Sequence, residues 1–335
     1  MSVAGGSQMM RAARLLGRGR LEMQEVPVPE IADGQVLVRT RLASICGSDL
    51  KSVYSELGPA EFPCRPGFPG HEGVGDVLES RSPEFAPGDV VLTVPDRQWK
   101  ATFADYQVVP AQFLVPLPPD GEAGVLIMAQ QLGTVLFALG RFWPEEEPPG
   151  ESAVVIGAGS AGLYFTRLLK RRGFRRVIVA DPDPDRLELA SQLGADAAVP
   201  AGDESVVETT MDLTGGTGAD LAVEAAGFDA TRAQAIASAR VRGRVGFFGQ
   251  PERYGDSPFP LEQFYRRRPT LIPSNGTQQE PGLTSFRRAV DLIRQGDVEV
   301  RPLIGSPYPA EELPRAFDDA YRHRSSALKV HVSFA

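Results

Sequence analysis

Apolar and polar positions change their rhythm along this chain, and the change predicts two kinds of structure. Over the first 110 residues they alternate in short runs with the period of two that a half-buried strand requires. Gly34-Gln35-Val36-Leu37-Val38-Arg39-Thr40 and Ala104-Asp105-Tyr106-Gln107-Val108-Val109-Pro110 read as strands, and Glu25-Val26-Pro27-Val28-Pro29 reads as extended chain. Pro87-Gly88-Asp89 reads as a turn into a strand at Val90-Val91-Leu92. Dense Pro and Gly between these runs predict a small irregular barrel. The leading MSVAGGSQMMRAARLL has neither a long apolar core nor a cleavage site, so it reads as a ragged start and not a signal peptide.

Past the surface connection Trp143–Gly150, strand and helix patterns alternate. Ser152–Ile156, Arg176–Ala180, Leu221–Val223 and Arg244–Phe248 read as short buried strands, with Thr270–Pro273 as an edge strand. Between them, Ala161–Arg172, Asp185–Leu193 (stopped by Gly194) and Thr231–Ala239 read as helices. Alternating units of this kind predict a parallel sheet covered on both faces. In the tail, Thr284 reads as the cap of a helix with the apolar stripe Phe286, Ala289, Val290 and Ile293; Glu311–Tyr321 reads as a second helix and Leu328–Val332 as a last strand.

The 335 residues suit two domains, and 42% hydrophobic with 23% charged residues describes a folded chain. A net charge of −8 argues against nucleic acid or an acidic membrane as partner. Two cysteines, Cys46 and Cys64, exclude a disulfide framework, and no apolar run is read as a membrane span. The expected compartment is the cytoplasm.

Gly157-Ala158-Gly159-Ser160-Ala161-Gly162 follows a predicted strand and opens a predicted helix. In that context Gly157 makes the tight turn, Gly159 admits a pyrophosphate, and Gly162 lets helix and strand pack closely. Ser160 and Ala161 lie at the helix N-terminus, whose free N–H groups face the phosphates. Nineteen residues beyond Gly162, Asp181 ends the second strand, where a carboxylate accepts both ribose hydroxyls and repels a 2′-phosphate. This favours NAD. Arg186 leaves the other choice open, because it could neutralise a phosphate there.

Cys46-Gly47-Ser48-Asp49 and Gly70-His71-Glu72-Gly73 lie ahead of that domain. Thiolate, imidazole and carboxylate together suit zinc. Ser48, two residues after the cysteine, is placed to carry an alcohol proton. His323 and His331 read as structural, and Tyr54, Phe68 and Trp99 read as packing rather than as substrate pocket.

Taken in order, these two motifs, Pro87-Gly88-Asp89-Val90-Val91, the glycine fingerprint and Asp181 resemble the zinc-dependent medium-chain dehydrogenase/reductase superfamily, in its polyol, threonine and sugar-alcohol branch. The resemblance implies an α/β fold: a GroES-like β-rich catalytic domain from residues 1–131 and 278–335, and a Rossmann doubly wound parallel sheet over 132–277. It implies Cys46, His71 and Glu72 as metal-site residues, with Glu72 a ligand or an exchangeable neighbour. It implies Ser48 in proton transfer, with Lys51 at a further relay position where it reads either as passing the proton on or as simply exposed, and Ala226, Gly249 and Ser274 on the nicotinamide side. The implied cofactors are NAD and one catalytic zinc without a structural zinc. The implied partners are a small alcohol or ketone and a second copy of the chain, in a homodimer or homotetramer.

Three positions depart from the family pattern. No cysteine-rich lobe follows Val91, Gln130 stands where Cys, Asp or Glu is common, and Lys51 stands where His is common. Two further readings therefore stay open: a zinc-free reductase of an activated alkene or carbonyl, and a non-catalytic NAD(H)-binding protein.

Overall fold

The computed structural model describes residues 8–202, 205–322 and 327–334. His323 and the first seven residues of the leading segment lie outside them. The chain divides into two compact units, Met1–Gly133 with Gln278–Ala335, and Thr134–Thr277.

In the first unit the leading segment corrects its reading. From Met9 to Gly17 it is a strand paired antiparallel with Arg20–Pro27. Met10, Ala12, Ala13 and Leu15 are buried along it, an apolar pattern that outweighs its unpromising beginning. The main sheet runs in the order Tyr308–Pro309, His331–Ser333, Gln35–Ser44, Gly73–Ser80, Val90–Thr93, Leu114–Leu117, and Tyr106–Pro110 pairs with Gln35–Ser44 as well. Gln35–Ser44 extends four residues past its predicted end because Leu42, Ala43 and Ser44 find their partners in Ser333, Val332 and His331. The final strand is shorter than expected, His331–Ser333, and Lys329 makes an isolated bridge with Ile304.

Thr284 is the first residue of the helix Thr284–Arg294 and not its cap; Leu283 holds the cap position at φ 52°, and the Thr284 hydroxyl donates to Pro281 O. The helix buries Phe286, Ala289, Val290 and Ile293 as its stripe requires. The segment read as one helix from Glu311 is a 3₁₀ turn, Ala310–Glu312, followed by Leu313–Tyr321. The stretch Ala123–Phe142 is helical and, by length and composition alone, apolar enough to cross a membrane, contrary to the sequence reading. Most of its apolar window is buried inside the protein, which is what a core helix requires. Tyr54 and Phe68 pack against the cluster of Val53, Phe103, Leu313 and Phe317, and Trp99 packs on a neighbouring one.

The second unit is built on a parallel sheet ordered Ala197–Pro200, Arg176–Asp181, Ser152–Ile156, Ala219–Glu224, Ala239–Phe247, Thr270–Pro273. Numbered along the chain from Ser152–Ile156, that order is 3-2-1-4-5-6, the doubly wound arrangement whose switch point lies between strands 1 and 4. The central strands are buried throughout, hence their unbroken apolar runs. The helix Ser160–Arg171 buries Leu163, Phe165, Leu168 and Leu169. Gly194, at φ +106°, ends the helix Pro184–Gln192, and Ala195 N returns to Ala190 O.

Candidate metal centre and dinucleotide site

Cys46 sits where the strand Gln35–Ser44 gives way to the helix Gly47–Tyr54, at the helix N-cap. Asp49, in the first turn, folds back so that its Oδ2 accepts from Cys46 N at 3.0 Å. Its Oδ1 accepts from His71 Nδ1 at 2.9 Å. One buried carboxylate thus fixes both metal-site motifs. With Nδ1 donating to Asp49, the other ring nitrogen, Nε2, is turned toward Cys46 and would present its lone pair to a metal once its proton is displaced, the orientation a metal-binding histidine takes from a carboxylate partner.

His71 and Glu72 lead into the strand Gly73–Ser80 through a crowded passage. A Cβ at Gly73 would lie 2.4 Å from Thr102 Cγ2, and one at Gly70 would lie 2.7 Å from Phe103 Cδ2. The Gly-His-Glu-Gly pattern is therefore a packing requirement as well as a chemical motif. Donor atoms of Cys46, His71 and Glu72 all lie within 4.8 Å of one another. Among the described residues this is the one such group of His, Cys, Asp and Glu. A sulfur from half-buried Cys46 converging with a nitrogen and a carboxylate oxygen from buried His71 and Glu72 suits zinc, with bonds of about 2.0–2.3 Å.

Lys329 completes the arrangement. Its Nζ donates to Glu72 Oε2 at 2.5 Å and to Ile45 O at 3.4 Å. Glu72 Oε1 is buried with no hydrogen-bond partner among the described residues. A carboxylate with one oxygen tethered and the other unsatisfied beside a thiol and an imidazole fits a cation at this position. Burial works against the charged His71 ring, but Asp49 outweighs it and the pKa is pushed up to about 9. Burial and Glu72 act to raise the Cys46 thiol, yet the hydrogen bond from His71 and the charge of Lys329 bring it below its usual range. Lys329 loses by burial and gains more from Glu72 and Cys46, so it stays protonated.

Ser48 and Lys51 both lie on the helix that Cys46 caps, Ser48 in its first turn and Lys51 three residues on. Gln130 is buried near the start of the helix Ala129–Phe142. Asp49 and Lys329 are the functional candidates that the sequence did not single out. For Asp49 a signal existed, since an acidic residue three places after an N-cap commonly folds back on it. For Lys329 there was none.

In the second unit the fingerprint forms the predicted strand–turn–helix. Gly157 has φ +103°, Gly159 is the N-cap of the helix Ser160–Arg171, and a Cβ at Gly162 would lie 1.8 Å from Gly157 O. A Cβ at Gly159 would meet nothing within 4 Å, so the space beside it is open. Asp181 ends its strand, with Oδ2 accepting from Ala158 N at 2.7 Å and Oδ1 from Asp183 N at 3.0 Å. Arg186 Nη1 lies 3.9 Å from Asp181 Oδ2 and its Nε 3.4 Å from Asp183 Oδ2. Ala226, Gly249 and Ser274 follow the carboxyl ends of three successive strands, the end of an open α/β sheet where ligands bind. Glu224 organises this edge: its Oε1 accepts from Ala226 N, Gly227 N and the Thr231 hydroxyl. Gly249 is needed because a Cβ there would lie 2.3 Å from Gly227 N.

Residues 32–119 match the alcohol dehydrogenase GroES-like domain, and residues 161–295 match the zinc-binding dehydrogenase family. An erythritol/L-threitol dehydrogenase of Mycolicibacterium smegmatis is 30% identical over 72% of this chain and 76% of its own length. The chain belongs to the zinc-dependent medium-chain dehydrogenase/reductase superfamily. Within this superfamily it also resembles an L-threonine 3-dehydrogenase of Bacillus velezensis, 27% identical over 88% of this chain and 91% of that one. An alcohol dehydrogenase from Thermus sp. ATN1 superposes with a TM-score of 0.83 at 27% identity, covering 97% of this chain and 99% of the other. Its GroES-like and Rossmann-like parts are those of the superfamily, and the chain is an alcohol dehydrogenase-like oxidoreductase working between alcohol and ketone.

Proposed function

We propose that the protein is an NAD(H)- and zinc-dependent dehydrogenase of a secondary alcohol of the polyol, cyclitol or sugar-like kind. The observation that carries this reading is the convergence of Cys46, His71 and Glu72, each with its own supporting residue or helix terminus. Zinc, when bound there, supplies a Lewis acid for a substrate oxygen, and NAD supplies a hydride acceptor.

The chain's own residues do the rest. Asp49 holds the His71 ring through Nδ1 and thereby orients Nε2. Lys329 holds Glu72 by one oxygen and offsets its charge. Ser48 Oγ accepts the substrate hydroxyl proton as it gives up its own, which would leave to solvent through the nicotinamide ribose hydroxyls or through Lys51 as the neutral amine. The turn at Gly157 and Gly159 admits the pyrophosphate, and Asp181 accepts the adenosine ribose hydroxyls. Support for a polyol comes from the erythritol/L-threitol dehydrogenase relative.

The second copy expected of the family would join at the sheet edge formed by Thr270–Pro273. An unpaired edge strand is a template for another. Beside it the helix Leu261–Arg267 buries none of its residues, leaving Leu261 66% and Tyr265 79% exposed. A dimer mass in solution that falls to the monomer in Ile272→Pro is expected; a monomeric wild-type protein would contradict this.

The activity is tested by metal content together with NADH formation on erythritol, threitol, sorbitol and L-threonine. One zinc per chain and oxidation of at least one of these are expected. Full reduction activity after verified metal removal would instead favour the zinc-free reductase.

A further inference from the structure

The first unit contains a cavity of about 740 Å³ whose walls include none of the metal-site residues. It lies where the strands Gln35–Ser44 and His331–Ser333 meet the segment around Ile304. Its chemistry is divided.

At one side, Arg39 and Arg41 converge on Asp76 of the neighbouring strand. Arg39 Nη2 donates to Asp76 Oδ2 at 2.8 Å, Arg41 Nε donates to the same oxygen at 2.9 Å, and Arg41 Nη2 takes Oδ1. The irregularity between Thr40 and Leu42 lets both arginines reach one carboxylate. Asp76 is thereby spent on both oxygens, while Arg39 Nε and Nη1 and Arg41 Nη1 have no acceptor among the described residues. Glu122, also in the wall, is held by both terminal nitrogens of Arg301. One positive charge is left over, on a pair of guanidinium groups with donors to spare.

Leu42, Ile304 and Phe334 provide an apolar wall. His331 contributes a buried polar group, 3% exposed, whose Nε2 has no hydrogen-bond partner among the described residues. Ser44, its directly paired neighbour across the strands, likewise has a buried hydroxyl without a partner. Burial, reinforced by the charge of Lys329, pushes His331 down to about 4, so the ring is neutral and can donate or accept. Unsatisfied buried polar groups call for a ligand or an ordered water.

We propose that this cavity binds a small organic monocarboxylate: its carboxylate on Arg39 and Arg41, its apolar body against Leu42 and Phe334, and a hydroxyl or carried-in water on His331. A single net positive charge matches a monoanion, and planar guanidinium groups match a carboxylate. The proposal is independent of the alcohol chemistry, so binding is the readout.

The test is calorimetric titration of the full-length protein with 4-hydroxybenzoate, and with inorganic phosphate as an anion lacking the apolar body. Crystals soaked in 4-bromobenzoate then locate the probe by bromine anomalous scattering. One site is expected, weakened at least tenfold in Arg39→Gln/Arg41→Gln, with the bromine in the cavity and no comparable phosphate binding. No heat up to millimolar probe, equal binding by the double variant, equal binding of phosphate, or a bromine peak only elsewhere would each overturn the proposal.

Discussion

Lys329 Nζ lies 2.5 Å from Glu72 Oε2, and the two side chains are 2% and 1% exposed. A lysine from the last strand region thus neutralises a carboxylate in the metal-site motif, across 257 residues of sequence. Neither charge has access to water to replace the other. Breaking such a pair from one side costs far more than removing both partners.

Lys329→Met is accordingly expected to destabilise the metal-free protein by about 3–5 kcal/mol, because Glu72 is left charged and unpaired in the interior. Glu72→Gln/Lys329→Met should recover a substantial part of that loss. Urea unfolding of the wild-type, single and double variants measures it. Equal losses in the single and double variants would show that the pair is not coupled.

The two glycines of the turn separate packing from ligand contact. Gly162→Ala places a Cβ 1.8 Å from a backbone oxygen and is expected to unfold or strongly destabilise the second unit. Gly159→Ala meets nothing within 4 Å, so its melting temperature without cofactor should be unchanged. NADH affinity should nonetheless fall by at least roughly tenfold if, as proposed, that open space takes the pyrophosphate. Fluorescence titration with NADH checks this, and normal affinity in Gly159→Ala would place the cofactor elsewhere.

Asp181 shapes the turn through Ala158 N, and in the proposed function it also accepts the adenosine ribose hydroxyls. Asp181→Ala should weaken NADH by roughly 10–100-fold, the range for losing hydrogen bonds to a charged group. NADPH should be weakened less, because the repulsion of its 2′-phosphate goes with the carboxylate. Parallel titrations of both cofactors decide the matter; an unchanged preference would remove Asp181 from the ribose site.

His331 gives the fold a pH dependence of known sign. Its ring has a pKa of about 4 when folded, against 6.5 when exposed. Between those values the unfolded chain binds a proton that the folded chain does not. Its contribution is therefore complete above pH 6.5 and is lost as the pH falls toward 4, at up to about 1.4 kcal/mol per pH unit. In His331→Gln the stability difference from wild type should carry that slope across pH 4–6.5 and flatten above it. A difference independent of pH would contradict the buried neutral ring.

What the sequence disclosed follows from how local each feature is. The fingerprint strand, turn and helix were legible because Gly157, Gly159 and Gly162 act on backbone within one turn of each other. The stripe of Phe286, Ala289, Val290 and Ile293 was legible for the same reason. The helix Val206–Leu213 went unread although Ser205 caps it by accepting from Glu208 N, a local signal. The strand Met9–Gly17 was obscured by the small, polar residues before it, and its partner strand fixes it only in three dimensions. Lys329 is the extreme case: a lone lysine two residues before the short strand His331–Ser333 has no periodicity or motif around it, and only the pairing of that strand with Gln35–Ser44 brings the segment beside Glu72.

The central claim is that Cys46, His71 and Glu72 hold one catalytic zinc. X-ray absorption at the zinc edge of the purified protein tests it most directly. The expected spectrum has a single sulfur at about 2.3 Å with nitrogen and oxygen at about 2.0–2.2 Å, and Cys46→Ser abolishes the sulfur shell. A spectrum without sulfur, or one that survives Cys46→Ser unchanged, would contradict it.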